Sequence, residues 1–247
     1  MTQSSQNNKT LAPLTNVYAL ATLTERLLDR AQGLPGMGCF YGFSGFGKSM
    51  ASTFTAIEFD ACVVEMGDSW SKGTLCEAMC AELGLKPERT IAKMVKQICA
   101  SLAERNVPLI VDEADYLLKN SMVETVREIH DKSYSPVILI GEELLPQKLR
   151  KYERVHGRIL RHVAAEPCSD ADFDLLRELR CPDIEITTDL LDKIKTVSRG
   201  SARRIVENLS FVQELGATKG LQTVSLKDWG TSYFFEGSAP MPRRIPT

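Results

Sequence analysis

Residues 42–49 read Gly-Phe-Ser-Gly-Phe-Gly-Lys-Ser, and both the residue types and their spacing suit the capture of a phosphate chain. Gly42, Gly45 and Gly47 lack a Cβ, so the backbone amides of a turn that also includes Ser44 and Phe46 can close around phosphate oxygens without steric conflict. A helix starting on the loop adds positive potential at its first turn, Lys48 can reach the outer phosphates, and the Ser49 hydroxyl can ligate Mg²⁺. Average residue usage produces this pattern by chance in a chain of this length on the order of one time in a hundred. A glycine turn with an incidental lysine is therefore the poorer account.

The second set of reactive groups closes an apolar run, Pro108-Leu-Ile-Val-Asp112-Glu113. Asp112 can hold the magnesium, and Glu113 can orient or deprotonate a water. A water-activating glutamate points to hydrolysis of ATP to ADP and phosphate rather than transfer to a small acceptor. Arg154, Arg158 and Arg161 cluster before a later apolar run, where a guanidinium could reach the γ-phosphate held by a neighbouring subunit. Arg203 and Arg204 follow Gly200 and could fold back over the nucleotide. Each arginine taken singly reads equally well as a solvated charge. Glu142 and Glu143 follow another apolar run and either sense the γ-phosphate or cap the helix that begins near Leu144.

Elements that could position these groups are legible along the chain. Apolar spacing predicts a helix over 17–31, stopped by Gly33-Leu-Pro-Gly36, then a strand over 38–41 that enters the glycine loop. A helix over 48–59, a strand over 61–66 and helices over 74–83 and 90–105 follow. Ile91, Met94, Val95, Ile98 and Leu102 form one face of the last of these. Residues 107–111 and 136–140 are continuously apolar, as buried parallel strands are, with a helix over 123–130 between them and a last strand over 159–164. Strands alternating with helices predict an α/β fold: a parallel sheet flanked by helices, with the phosphate loop after its first strand. Beyond Glu166-Pro167 the pattern turns to helices alone, over 170–179, 188–197, 201–215 and 226–233. The organisation expected is a polar leader over 1–15, an α/β nucleotide-binding domain over 16–167, a small all-α lid over 168–235 and a flexible tail over 236–247.

Composition bounds the function classes. The chain has 247 residues, 30 basic against 32 acidic, for a net charge of −2. Near-neutrality excludes a whole-molecule field for nucleic acid, so any DNA surface must be a local patch made by folding or assembly. Seven cysteines show no zinc spacing and read as reduced thiols; Cys76 and Cys80, one helical turn apart, are at most half of a metal site. No apolar run approaches the roughly 20 residues that cross a bilayer, and residues 1–10 lack the charge and apolar core of a signal peptide. These features predict a cytoplasmic protein with no membrane partner.

The ordered set comprising residues 42–49, Val111-Asp112-Glu113-Ala114-Asp115, Val137-Ile-Leu-Ile-Gly141, Gly157-Arg158-Ile159 and Gly200-Ser-Ala-Arg203 resembles the AAA+ ATPases. Within them it resembles the transposition helpers typified by the phage Mu B protein and the IstB-type proteins, over about residues 15–235. The resemblance implies ATP and Mg²⁺ as ligands, Lys48 and Ser49 at nucleotide and metal, and Asp112 with Glu113 as the Walker B pair. It also implies Arg158 as the finger and Arg203 as the lid sensor. Such proteins assemble with ATP into rings or helical filaments on duplex DNA without sequence preference, recruit a transposase and dissolve on hydrolysis. Mu B carries an N-terminal helix-turn-helix domain, whereas here some 15 residues precede the first expected helix. DNA contact is therefore expected on the ATPase domain, with Lys72 in the 69–73 loop and Lys119 as candidates; either lysine is equally at home in solvent. An assembly would repeat such a lysine once per subunit. Two other readings share these motifs: a helicase-loader-like or secretion-associated AAA+ ATPase acting on a protein partner, and a nucleotide-gated scaffold with negligible turnover.

Overall fold

The continuously apolar runs 107–111 and 136–140 supply the two most buried strands, Leu109–Asp112 and Val137–Gly141, in the computed structural model of the protein, which describes residues 12–237. The expected leader up to residue 11 and tail from residue 238 lie outside the described residues. The described chain forms two units, one of Thr15–Glu166 and one of residues 12–14 with 167–237.

In the first unit, helix α1 (Thr15–Leu28) leads to β1 (Met37–Tyr41), α2 (Lys48–Phe59), β2 (Cys62–Glu65), α3 (Lys72–Glu82) and α4 (Ile91–Arg105). Strand β3 (Leu109–Asp112), α5 (Val123–Ser133), β4 (Val137–Gly141), α6 (Leu145–Leu149), α7 (Glu153–His156) and β5 (Ile159–Ala164) complete it. The strands form one parallel sheet in the order β2-β3-β4-β1-β5. The chain runs from β1 to the edge at β2, returns through β3 and β4, then crosses β1 to reach β5. The connections that leave the neighbouring strands β1 and β4 thus run in opposite directions, which opens a crevice between their carboxyl ends, the place where open α/β sheets bind ligands. Helix α1 packs against β1, whose Gly38 leaves no room for a side chain: a Cβ there would come 2.9 Å from Leu27 Cδ1.

Local chemistry sets the element boundaries. The Ser71 hydroxyl accepts the Thr74 N–H at 3.2 Å and starts α3 two residues before the expected position, so Lys72 is the first helical residue and not a loop residue. Asn106 ends α4 in the left-handed conformation, one that asparagine tolerates. On α4 the expected face is buried except for Ile91, which is 41% exposed because it sits at the first helical position. The short 3₁₀ turns of Ala114–Ser121, broken at Lys119 and Asn120, and the small helices α6 and α7 lie where no periodicity marks them.

The second unit corrects the expectation of helices alone. Helices α8 (Asp170–Arg180), α9 (Thr188–Ser198), α10 (Ala202–Lys219) and α11 (Leu226–Trp229) are joined by two two-residue strands, β6 (Glu185–Ile186) and β7 (Thr223–Val224), paired in parallel. Strands this short carry no detectable alternation. Ser169 opens α8 with a capping box: its hydroxyl accepts the Asp172 N–H at 3.1 Å while the Asp172 carboxylate accepts the Ser169 N–H at 2.9 Å. Gly200 takes φ of +72°, and a Cβ on it would lie 2.4 Å from Pro167 Cβ and 3.2 Å from Pro167 Cα. Gly200→Ala is therefore expected to cost about 2–4 kcal/mol, combining left-handed strain with overpacking against backbone. A wild-type midpoint in urea unfolding would contradict this.

No helix among the described residues is long and apolar enough to cross a membrane.

Candidate nucleotide site

The glycine loop leaves β1 and feeds α2. Gly45 and Gly47 adopt φ of +87° and +84°, backbone that L side chains rarely adopt, and Gly42 sits against Ala165, where a Cβ would meet Ala165 Cβ at 2.9 Å and its carbonyl oxygen at 3.0 Å. These three glycines are thus required by the chain path itself. Gly47 is the residue before α2 and offers no side chain to its first amides, which stay available to an anion. Ser44 is exposed, and Phe43 and Phe46 meet edge to face at 5.8 Å between ring centres. Lys48 folds back on the loop, donating to the carbonyls of Gly42 at 2.7 Å and Phe43 at 3.0 Å. Ser49, exposed, follows it on α2.

The structure brings the second set of groups to the same place. Asp112 ends β3 and is buried, and its Oδ1 accepts the Glu113 N–H at 2.8 Å. Glu113 takes φ of +52°, a strained conformation for a glutamate, and this turns the chain from the strand into the following 3₁₀ segment. Burial pushes the Lys48 ammonium below the ordinary lysine range, while the charges of Glu113, Asp112, Glu142 and Asp115 act in the opposite direction. Burial pushes the Glu113 carboxyl above its usual range, and the charge of Asp112 adds to this. Even with Asp115 paired to the Lys148 ammonium, the carboxylates around Lys48 outnumber the ammonium groups, which makes a centre that favours a cation. The donors, a serine hydroxyl and an aspartate carboxylate, are hard oxygen ligands that leave the remaining positions to phosphate and water, which fits Mg²⁺. No group of three or more His, Cys, Asp or Glu among the described residues could hold a metal unaided. Cys76 and Cys80 are buried in α3, and burial raises the Cys76 thiol to about 11.

Residues 31–149 match the family model described as the AAA domain. With the five-stranded parallel sheet, this decides the architecture. The fold is that of an AAA+ P-loop NTPase. Orc1 of Aeropyrum pernix, solved in complex with DNA, is similar with a TM-score of 0.64 at 16% identity, over 86% of this chain and 62% of that one. Cdc6p from Pyrobaculum aerophilum gives 0.64 at 15%, over 92% and 66%. A Walker-type ATPase of Pyrococcus abyssi gives 0.61 at 15%, over 81% and 71%. The chain thus spans less than two thirds of the length of the first two proteins. No curated protein matches it. These likenesses concern the AAA+ fold, and the narrower resemblance to Mu B and IstB-type proteins stays on the sequence motifs alone.

The other candidate residues fall in varied surroundings. Neither Glu142 nor Glu143 caps α6, whose first turn carries no acid, and the charge of Glu142 acts on Lys48. Arg158 is committed within its own chain, its Nε donating to Asp131 at 2.7 Å, whereas Arg154 on α7 and Arg161 on β5 are exposed. Arg203 is the second residue of α10 in the other unit and is exposed. Lys72 opens α3, and Lys119 pairs with Asp68 while lying 5.4 Å from the centre of the Tyr116 ring.

Two residues to which the motifs assign no chemistry, Asp115 and Asn16, complete the site. Asp115 accepts the Glu142 N–H at 2.7 Å and the Lys148 ammonium at 2.6 Å, joining the turn after β3 to the end of β4. Asn16, on α1, contacts the glycine loop. No spacing rule marks a polar residue some 30 positions before the loop it touches. The one visible signal is an asparagine in the first turn of α1 beside the apolar residues Val17 and Leu20.

Proposed function

We propose that the chain is a Mg-ATP-dependent ATPase that assembles on duplex DNA and recruits or activates a transposase, with hydrolysis driving disassembly. The observation that supports this most is the convergence of Lys48, Asp112 and Glu113 at the carboxyl ends of β1 and β3, under the mutual electrostatic influence described above. Loop amides and Lys48 would bind the triphosphate, Lys48 exchanging its two carbonyl partners for phosphate oxygens. Ser49 and Asp112 would hold Mg²⁺, which when bound neutralises phosphate charge and polarises the bond to be broken. Glu113, its carboxyl made more basic than usual by burial and by Asp112, would take the proton of the attacking water. An arginine of a neighbouring subunit would complete the charge stabilisation. The two exposed arginines, Arg154 and Arg161, are available for that task without breaking an ion pair, while Arg158 would first have to leave Asp131. Arg203 would act as the lid sensor.

The DNA-bound Orc1 structure, similar in fold, supports DNA as a partner. So does the sequence resemblance, which alone points to a transposase. With an overall charge of −2, DNA contact should require assembly. The expected result is duplex binding with ATP and not with ADP, accompanied by rings or filaments in negative-stain images. Lys72→Ala should weaken binding equally across sequences and reduce the salt dependence by about 0.9 in log–log slope for each phosphate no longer neutralised. Lys119→Ala should act less, because Asp68 already offsets that charge. Monomers with nucleotide-insensitive binding would overturn the proposal in favour of an AAA+ ATPase acting on a protein partner.

A further inference from the structure

Asn16 is 5% exposed, and both the nitrogen and the oxygen of its carboxamide are engaged. Its Nδ2 donates to the Phe46 carbonyl at 2.8 Å and to the Glu166 carbonyl at 2.7 Å, while its Oδ1 accepts the Glu166 N–H at 2.9 Å. The partners fix the orientation of the group: two carbonyls require the NH₂ end and one N–H requires the oxygen, so a flipped amide would set like against like. Three separate segments meet at this side chain, namely the start of α1, the glycine loop and the residue that ends the first unit.

The contact to Phe46 bears on phosphate binding. The peptide joining Phe46 to Gly47 is trans and is followed by a glycine at φ of +84°, whose lack of a Cβ leaves this peptide plane free to rotate. In a trans peptide the C=O and the N–H point in opposite directions. Fixing the Phe46 carbonyl toward Asn16 therefore aims the Gly47 N–H away from α1. The neighbouring loop segment is held independently, since the Ala165 N–H donates to the Tyr41 carbonyl at 2.6 Å and Gly42 lies against Ala165. The end of β5 thus braces the loop at its base directly and near its far end through Asn16.

We propose that Asn16 is a positioning residue for the nucleotide: it sets the orientation of the Phe46–Gly47 peptide, so that the Gly47 amide faces the phosphates, and ties that orientation to the backbone of Glu166. The inference rests on the nucleotide reading of residues 42–49. Without the carboxamide, the peptide samples both orientations, and binding must then select one of them at the expense of affinity.

The test uses the full chain and a fluorescent N-methylanthraniloyl ATP, with Mg²⁺, and compares wild type, Lys48→Ala, Asn16→Asp and Leu20→Ala. Asn16→Asp keeps the shape and the acceptor for Glu166 but turns the donor end into an oxygen facing two carbonyls. It should raise the Kd for the ATP and ADP probes about tenfold. Leu20, fully buried on the same helix, has no polar side-chain group with which to orient a loop peptide; Leu20→Ala should lower Tm while changing Kd by less than about threefold. If Asn16→Asp does not fold, Asn16→Ala introduces no charge and carries the same expectation with a smaller change. Wild-type affinity in folded Asn16 variants, or an equal loss in Leu20→Ala, overturns the inference alone. A wild type that binds no probe, or a Lys48→Ala that binds as well as wild type, overturns the nucleotide reading and this inference with it.

Discussion

Lys48→Ala is expected to weaken Mg-ATP binding by about a hundredfold or more, the loss that follows from removing a charge-assisted contact in a partly desolvated site. Two features of the site enlarge the effect. The Lys48 ammonium feels the charges of Glu113, Asp112, Glu142 and Asp115, of which Asp115 alone is paired with a second ammonium, that of Lys148, so removing Lys48 leaves a triphosphate facing carboxylates with one fewer cation to offset them. It also folds the loop on itself through the Gly42 and Phe43 carbonyls. Stability should change little, because burial already disfavours the charged lysine and its carbonyl partners lie in a loop that water can reach. The combination to be measured is a near-wild-type Tm with loss of titratable binding in calorimetry. Binding within about threefold of wild type would remove the basis for the assembly and DNA steps as well.

Much of the site was legible because its chemistry is local. Residues 42–49 and 108–113 each bring their groups together within a few positions, and the strands that carry them are buried on both faces, so their hydrophobicity is continuous. Strand order followed less directly. Alternation of strands and helices implies a parallel sheet, but the placement of β4 between β1 and β3 depends on long-range pairing that no local pattern encodes. Lys72 was misplaced because the Ser71 cap outweighs the glycine at 73 in deciding where α3 starts. The pairing of Lys119 with Asp68 and of Arg158 with Asp131 joins positions 51 and 27 residues apart, beyond the reach of any spacing rule. The roles of Asp115 and Asn16 are illegible for a related reason: Asp115 bonds the Glu142 N–H and the Lys148 ammonium 27 and 33 residues away, and Asn16 bonds only backbone groups of distant segments, which leave no mark in the residue type.

Glu113→Gln should lower ATP turnover by about a hundredfold to a thousandfold, within the range that general-base assistance contributes, while leaving the Kd for Mg-ATP within a few-fold of wild type. If hydrolysis dissolves the assembly, the ATP-bound form on DNA should then persist far longer than in wild type. The same substitution separates the site's cost from its use. In the nucleotide-free protein, burial and the charge of Asp112 raise the Glu113 carboxyl above its ordinary range. A carboxyl raised on folding contributes stability while it is neutral and loses that contribution as pH rises through its folded value. Wild type should therefore be less stable than Glu113→Gln at neutral pH, and the gap should close below about pH 4, where both side chains are uncharged. The strained φ of +52° is common to both side chains and cancels in the comparison. A glutamine variant with higher Tm at neutral pH, slower phosphate release and longer-lived assemblies is the outcome in which one carboxylate is kept at a cost in stability for its chemistry. Equal assembly lifetimes in the two proteins would point instead to a scaffold gated by nucleotide binding, with the strained turn after β3 serving structure alone.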